Sequence, residues 1–329
     1  MEPILLPANQ PPARFYRGGA AISAFRHDPP APPNTPEDWV GSTTSVRGKA
    51  PEGMTRLENG HLLADAIEAD PLAYLGPDHV AAFGSDTRLL VKLLDAGQRL
   101  PVHAHPDGGF ASRHVSAAHG KAEAWYILSA GVVHLGLSRD VSGRELGELV
   151  AGQHTDTLLG LLHQFDVQPH DTVYVPPGVL HAIGSGILLA EVQEPEDLSI
   201  LLEWNGFDLD GEADGHLGLG FDVALEAVDR RGRSRNQILE LVRRGVSDGP
   251  ALVPDAAPYF RLDRVSGPLD FPAGFAIVLA VAGESLLTLE ERPVRRLPAG
   301  STTLVPFAAG PMRIETDGSV LVARPPATQ

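Results

Sequence analysis

The 329-residue sequence contains no cysteine, and this excludes disulfide bonds, thiolate metal ligands and cysteine nucleophiles. Long apolar runs are missing as well. The longest run, 275–282, is far too short to cross a bilayer. The first residues carry neither a basic segment nor an apolar core, so we expect no signal peptide, no membrane association and a cytoplasmic protein.

Positive charge is scarce, because 26 Lys and Arg residues face 42 Asp and Glu residues and give a net charge of −16. Nucleic-acid binding requires clustered cations that neutralise phosphates, and the sequence has no basic stripe. We therefore expect no nucleic-acid partner. The length and the hydrophobic fraction of 43% are sufficient for two packed units.

Four candidate metal ligands are the most informative feature of the sequence. His103 and His105 flank one alanine, and alternate residues of a strand project to the same face, so both imidazoles can enter one cavity. Glu123 opens an apolar run that predicts a second strand. His181 follows a Pro-Pro-Gly turn after a third predicted strand, 172–175. Three nitrogens and one carboxylate are thus expected to converge from three strands.

Nitrogen and oxygen donors without sulfur suit one divalent ion, for which we expect zinc, with manganese, iron, cobalt or nickel as alternatives. Such a ligand set leaves coordination positions open for substrate or water. The competing interpretation is coincidence, because the chain has 13 histidines and a lone His-x-His is common on protein surfaces. The strand context of each residue favours the metal site.

The pattern of apolar residues changes twice along the rest of the chain. Residues 142–165 begin with a Ser-x-x-Glu capping motif and continue with leucines at helical spacing, which predicts a helical insertion. Short helical patterns at 221–228 and 237–242 precede a second series of strands, predicted at 259–265, 275–281, 285–289, 301–305, 312–315 and 320–323. No histidine follows His216, so we expect this second unit to be a packing or dimerisation partner without a metal.

The order His-x-His, Glu, Pro-x-Gly-x-x-His is the signature of the cupin barrel. The words around the ligands resemble the type I mannose-6-phosphate isomerases, particularly the short bacterial form. The matching phrases are WVGSTTS at 39–45, LLVKLLD at 89–95, GKAEAWY at 120–126, VPPG at 175–178 and LLAEVQ at 188–193.

This resemblance implies a mainly β protein with two cupin-type, jelly-roll β-barrels, a helical insertion and short linking helices. We expect the metal-binding barrel to occupy 1–207, with its insertion at about 142–165. Linker helices and a metal-free, cupin-like barrel are expected at 208–329. The expected partner is a small sugar or sugar phosphate, and the chain is expected to be a monomer or a homodimer.

The resemblance also implies an aldose–ketose isomerisation through a cis-enediol, which requires a group that moves a proton between C1 and C2. Glu191, in an apolar strand after the His181 turn, is the acidic residue that the resemblance and its position indicate, and burial would raise its pKa. Its alternative role is a strand-end carboxylate paired with a surface cation. Lys121, two residues before Glu123, would share the inward face and stabilise enediolate charge, unless it is a solvated loop lysine.

Three positions depart from the family pattern. His103 stands where the family usually has Gln or Lys, which gives a three-His, one-Glu set. Pro101 and Leu201 stand where the family commonly has Ser and Arg, and neither can bind a phosphate with its side chain. The sequence therefore predicts poor use of mannose 6-phosphate, with a different sugar preferred, or with Lys121 and Arg113 supplying a relocated phosphate site.

Two functional classes remain open. The first is a metal-dependent sugar isomerase acting on mannose 6-phosphate and fructose 6-phosphate or on a related, unphosphorylated pair. The second is a cupin without isomerase activity, either a metal-dependent oxygenase or a sugar-binding regulatory protein. The shared Gly-Lys-x-Glu word favours the isomerase, because an arbitrary cupin need not contain it. Lys92 also lies in a matching phrase, but as a strand lysine able to extend to the barrel rim it receives no predicted role.

Overall fold

The structure is a computed structural model that describes residues 1–12, 14–290 and 292–328. Its strands, labelled β1 to β21 in chain order, span Ile4–Leu6, Glu37–Val40, Leu90–Asp95, His103–Ala104, Glu123–Ile127, Gly131–Leu137, Leu162–Val167, Thr172–Val175, His181–Ile183, Leu188–Gln193, Ile200–Leu201, Val242–Arg243, Gly249–Pro250, Arg261–Val265, Leu269–Phe271, Ala276–Ala282, Glu284–Leu289, Arg295–Pro298, Thr302–Val305, Met312–Thr316 and Ser319–Arg324.

The helices are short. Those labelled α1 to α10 span Ala20–Arg26, Leu63–Ala69, Pro71–Leu75, Pro77–Phe83, Gly108–Val115, Gly143–Ala151, Thr155–Leu161, Gly211–Asp214, Phe221–Ala224 and Arg235–Leu239. Single 3₁₀ turns span Leu225–Ala227, Pro254–Ala256 and Phe307–Ala309. Among the described residues, none of these helices has the length and apolar character needed to span a membrane.

Two pairs of antiparallel sheets organise the described chain. The N-terminal unit combines a six-stranded sheet, β12-β8-β5-β10-β3-β2, with a five-stranded sheet, β11-β4-β9-β6-β7. The C-terminal unit combines a six-stranded sheet, β1-β19-β16-β21-β14-β13, with a four-stranded sheet, β15-β20-β17-β18. The predicted class is confirmed: a mainly β protein with two cupin-type units, inserted helices and short linking helices.

The large sheets of the two units are buried on both faces, and strand alternation explains how. In β16, Ile277 and Leu279 pack into a core shared with the N-terminal unit, whereas Ala276, Val278 and Ala280 pack inside the C-terminal unit. This double burial accounts for the unbroken apolar sequence of the strand, because neither face needs polar side chains.

The inserted helices cover the outer face of the five-stranded sheet. Leu146 and Val150 of α6 and Leu158 of α7 pack with Ala104 of β4 and other residues that point away from the interior. The α6 helix begins as its capping motif predicts, because Ser142 Oγ accepts a hydrogen bond from the Glu145 backbone N at 3.1 Å. The outer face of β4 is therefore apolar, while its histidine lies on the inner face.

The predicted strands of the C-terminal unit agree with β14, β16, β17, β19, β20 and β21 to within two residues at each end. One helix differs. The pattern at 237–242 begins earlier, where Ser234 and Gln237 form a reciprocal capping box, and it ends at Leu239. Val242 instead pairs with Val173 of β8, because joining a sheet satisfies its backbone better than extending a short helix.

The predicted boundary between 1–207 and 208–329 is crossed by two strand pairings. Ile4–Leu6, at the start of the chain, pairs with β19 of the C-terminal unit. Val242–Arg243 returns to the edge of the N-terminal unit beside β8. The division into two domains at this boundary stays a prediction.

Candidate active site

Three neighbouring strands and one turn bring the four predicted ligands together. His103 of β4 pairs directly with His181 of β9, so their side chains share the inner face. His105 follows β4, and its carbonyl oxygen accepts a hydrogen bond from Gly178 N at 2.7 Å, which ties it to the turn before β9. Glu123 begins β5 in the opposite sheet. The sequence expectation of convergence thus agrees with the geometry.

The four side chains form a compact, buried cluster. Donor atoms of His103, His105 and His181 lie within 4.8 Å of one another. The two Glu123 oxygens contact two of the imidazoles, with Oε2 3.0 Å from His105 Nε2 and Oε1 3.2 Å from His181 Nε2. Trp125 Nε1 donates to Glu123 Oε1 at 3.0 Å and so orients the carboxylate.

All three imidazoles are oriented by backbone carbonyls. Nδ1 lies 2.8 Å from the Pro101 oxygen in His103, 2.7 Å from the Leu198 oxygen in His105 and 2.8 Å from the Val179 oxygen in His181. A carbonyl can only accept, so each Nδ1 carries a proton, and in the neutral ring each Nε2 presents a lone pair. This is how metal-binding histidines are usually held.

The cluster requires a positive charge. Burial, with the Lys121 charge, lowers the pKa of His105 to about 3, so its Nε2 is an acceptor facing another acceptor on Glu123. Glu123 Oε2 and His181 Nε2 are buried, and neither has a hydrogen-bond partner among the described residues. Such orphaned acceptors are rare in folded proteins. A divalent cation among these four residues would satisfy both, so the donor set fits the predicted metal.

Lys121 precedes β5, but its side chain is buried and lines the cavity instead of being solvated. Its Nζ donates to His105 Nε2 at 3.1 Å and lies 2.9 Å from Glu123 Oε2, a contact without hydrogen-bond geometry. Burial by itself would lower the pKa of Lys121, but the carboxylates of Glu123 and Glu191 raise it. The ammonium group is therefore charged and touches two of the four candidate ligands.

Glu191 lies on β10, between Lys92 of β3 and Trp125 of β5. It is 3% exposed, which excludes the alternative role as a surface carboxylate. Its Oε1 has no hydrogen-bond partner among the described residues and lies 3.6 Å from Lys92 Nζ. Burial, reinforced by the charge of Glu123, raises the pKa of Glu191 to about 7. The carboxyl group can therefore take up or release a proton near neutral pH.

The structure adds a group that the sequence left without a role. Lys92 is buried, not extended to the rim, with Nζ 3.4 Å from Glu37 Oε2 and 4.6 Å from the centre of the Trp39 ring. Tyr16 and Trp39 each donate to Glu37 at 2.7 Å, which orients that carboxylate. The sequence signal that could have indicated Glu37 was its position two residues before Trp39, the first residue of a matching phrase. The register of β3 with β2 and with β10 places Lys92 opposite Trp39 and Glu191.

These groups surround one cavity of about 580 Å³. His103, Glu123, Lys121 and Glu191 line it, whereas His105 and His181 lie deeper in the wall. Pro101 and Leu201 also line it, and Leu201 pairs with His103 across β11 and β4, so an apolar side chain lies beside the cluster. His114 on α5 and His119 in the loop that follows do not line this cavity.

Comparison with known proteins identifies relatives by sequence. The chain is 32% identical to a mannose-6-phosphate isomerase of Streptococcus mutans over 202 residues, which is 60% of this chain and 58% of the relative. It therefore matches somewhat more than half of that relative's length. A mannose-6-phosphate isomerase of Bacillus subtilis, ManA, is 26% identical over 322 residues, 93% of this chain and 94% of the relative. A search of protein-family models found no match.

Solved structures agree on the fold. The mannose 6-phosphate isomerase from Bacillus subtilis superposes with a TM-score of 0.75 at 22% identity, covering 98% of this chain and 100% of the other. A point mutant of phosphomannose isomerase from Salmonella typhimurium gives a TM-score of 0.76 at 16% identity, covering 99% and 100%. The fold and the cluster define a cupin-type protein with a three-His, one-Glu centre. Within that class, the chain is similar in sequence to mannose-6-phosphate isomerases, over most of its length to ManA, and similar in fold to their solved structures.

Proposed function

We propose that the protein is a metal-dependent aldose–ketose sugar isomerase, acting on mannose 6-phosphate and fructose 6-phosphate or on a related sugar. The observation that carries the proposal is Glu191, a buried carboxyl group whose pKa is raised to about 7. It lies in the wall of the same cavity as the His/Glu cluster. A general acid–base group is most effective when its pKa is close to the working pH. The names of the relatives support the same reaction class.

His103, His105, Glu123 and His181 would hold one divalent ion, with zinc the first expectation for nitrogen and oxygen donors. When bound, the ion would supply Lewis-acid polarisation of the sugar carbonyl. The burial of all four ligands supports this assignment, because a partly desolvated cation exerts a stronger field on the substrate.

Ionised Glu191 would remove the proton from C2 of the aldose, the electron pair of that C–H bond would form the C1–C2 double bond, and the carbonyl electron pair would move to O1. The hydroxyl proton of O2 would pass to O1, so that the cis-enediolate carries its charge on O2, where the C2 carbonyl of the ketose forms. The protonated carboxyl group would then return the same proton to C1, which completes the ketose and regenerates the carboxylate. A pKa of about 7 leaves both forms of Glu191 accessible at neutral pH.

Lys121 would compensate the negative charge that develops on the sugar oxygens. Its Nζ is already 2.9 Å from a Glu123 oxygen, so its charge is directed at the cluster. Lys92 lies on the other side of Glu191, with Nζ 3.6 Å from Oε1. It would stabilise the ionised form of Glu191 and limit the rise in its pKa. These fixed charges would act without reorganisation during the reaction.

The test is an isomerisation assay with apo protein reconstituted separately with Zn²⁺, Mn²⁺, Fe²⁺, Co²⁺ or Ni²⁺. Mannose, glucose, fructose and their 6-phosphates are supplied in turn, and aldose–ketose conversion is followed by NMR. We expect conversion that depends on the added ion and is lost in Glu123→Ala. Iron-dependent oxygen consumption without isomerisation would indicate an oxygenase instead. Sugar binding without turnover under every condition would indicate a binding protein, and either result would overturn the proposal.

A further inference from the structure

Most cations of the cavity are already neutralised by carboxylates. Arg14 Nε lies 3.2 Å from Glu37 and its Nη2 lies 3.4 Å from Asp197. Lys92 contacts Glu37 and Glu191, and Lys121 contacts Glu123. A cation that already contacts a buried carboxylate offers less net positive charge to a phosphate dianion than an unpaired cation does. These residues therefore organise the interior of the cavity and offer no strong site for an anionic substituent of the substrate.

Arg47 and Lys49 differ from the other cations that line the cavity. Both are exposed at its mouth, and within the described part of the chain neither forms an ion pair within 4.0 Å. The protein as a whole carries a net charge of −16, so its net field repels an anionic ligand. Burial raises the pKa of Glu196 and the charge of Arg47 opposes that rise, but no carboxylate among the described residues lies within ion-pair distance of either cation, so this side of the mouth is a local exception.

The backbone that carries these two residues is fixed. Val46 is buried against Trp39 and Leu90, and its backbone N donates to the Glu52 oxygen at 2.7 Å. The Arg47 backbone N donates to Asp197 Oδ2 at 3.1 Å, which connects the loop to a residue of the cavity wall. The positions of the two Cα atoms are therefore set by buried contacts, although the charged ends are solvated. Less ordering is then required when a ligand binds.

The other described residues that line the cavity form no comparable site. Leu94, Leu100, Leu201 and Leu217 supply apolar lining, and exposed Asp214 adds a negative charge to the lining. An anion entering the cavity would be repelled by Asp214, and it would lose bound water beside the leucines without gaining hydrogen bonds from them. Among the described lining residues, Arg47 and Lys49 are the cations without a carboxylate within 4.0 Å, and this rim can pair the anion with positive charge.

We propose that Arg47 and Lys49 bind the phosphate group of a sugar phosphate while C1 and C2 lie at the His/Glu cluster; this inference rests on the proposed isomerase function. The guanidinium group can bind two phosphate oxygens at once, and the ammonium group adds a point charge. This site replaces the candidates Lys121 and Arg113 that the sequence indicated. Lys121 is paired with Glu123, and Arg113 is exposed on α5 and does not line the cavity. The loss of the family arginine at Leu201 is thereby offset from another part of the chain.

The experiment measures binding by calorimetry with metal-loaded protein carrying Glu191→Gln, so that no turnover occurs. Mannose 6-phosphate, mannose and inorganic phosphate are titrated into this protein and into versions that also carry Arg47→Gln or Lys49→Gln. Arg113→Gln is the matched control, because it removes the same unit charge from an exposed arginine outside the cavity. Each rim substitution should raise the Kd for mannose 6-phosphate about 10-fold. The Kd for mannose should not change, and Arg113→Gln should have no effect.

Three outcomes would overturn the inference: unchanged affinity for mannose 6-phosphate in the rim variants, equal loss in Arg113→Gln, or no preference of the reference protein for the phosphate over mannose. If the rim variants bind inorganic phosphate more weakly as well as mannose 6-phosphate, the substitutions act on recognition of the phosphate group itself. Because the assay requires no turnover, a correct rim site would still be detected if the isomerase proposal failed. In protein with Glu191 intact, efficient turnover of mannose 6-phosphate that is insensitive to Arg47→Gln would support the isomerase proposal and contradict the rim site.

Discussion

The two β units of this protein use similar frameworks for different interiors. Each combines a six-stranded antiparallel sheet with a smaller one. Between the sheets of the C-terminal unit lies an apolar cluster that includes Val265, Leu287 and Ile314. The corresponding face of the N-terminal unit carries buried histidines, lysines and carboxylates around a cavity. The same architecture therefore serves as a packed core in one unit and as a chemical site in the other.

The difference has an energetic meaning. Burying charges such as Glu191 and Lys92 costs free energy that an apolar core of the same shape would not lose. The N-terminal unit retains them, and its His181 Nε2 and Glu123 Oε2 lack hydrogen-bond partners among the described residues. Such costs are typical of sites where binding or catalysis requires the groups. The apolar unit supplies packing against the large sheet that supports this site.

The largest expected effect follows from removing a candidate ligand. His181→Ala should lower affinity for a divalent ion by more than about 100-fold. Removing a residue that only hydrogen-bonds to a ligand costs up to about 100-fold, and removing the ligand itself should cost more. Metal content after dialysis measures this. His163→Gln is the control, because His163 bonds to the Arg233 carbonyl outside the cavity. If His181→Ala kept a full complement of metal, the four-residue site would be wrong.

The next effect concerns the proton-transfer group. Glu191→Gln should lower turnover by about 10²–10⁴-fold while metal content is unchanged. Glu194→Gln is a matched control, because Glu194 is also buried but accepts a hydrogen bond from Ala122 N and does not line the cavity. Steady-state kinetics with each variant decide the matter. Equal activity of the Glu191 variant and the unaltered protein would remove this residue from the mechanism.

Core truncation should separate stability from chemistry. Ile314→Ala in the C-terminal unit and Leu135→Ala in the N-terminal unit both remove fully buried side chains, and each should cost about 2–5 kcal/mol of unfolding free energy. Leu135 pairs with His181 on the neighbouring strand, so only its truncation should also weaken metal binding. Denaturant unfolding and metal titration test the contrast. If Ile314→Ala weakened metal binding as much as Leu135→Ala does, packing in the C-terminal unit would support the metal site as directly as packing in the N-terminal unit.

The smallest effect is a pH dependence of stability in metal-free protein. The pKa of Glu191 rises from 4.5 to about 7 on folding, so the folded state binds more protons within this window. Its contribution to stability is therefore fully present below pH 4.5 and is lost as pH rises to about 7. Glu191→Gln should gain about 1–3 kcal/mol relative to the unaltered protein across the same window. A stability difference that does not change with pH would contradict the raised pKa.

Local pattern was sufficient for much of the fold. Alternation and turn residues predicted six strands of the C-terminal unit but missed short strands such as β15 and β18, and the capping motif at Ser142 predicted the start of α6. The pattern failed at 237–242, where pairing of Val242 with β8 ended the helix. Helical spacing is a local signal, whereas a free sheet edge is a property of the folded chain, and no sequence window contains it.

The sequence by itself determined the ligand types and their order, because His-x-His places two imidazoles on one face of any strand and Glu123 and His181 stand at strand ends. The tertiary structure decided what surrounds them. Lys92 meets Glu191 only through the register of β3 and β10, and Arg14 reaches the cavity because the N-terminal segment folds back over it. The Arg47–Lys49 rim likewise depends on burial of Val46. Strand alternation acts between adjacent residues, whereas charge pairing and pKa depend on distances across the fold.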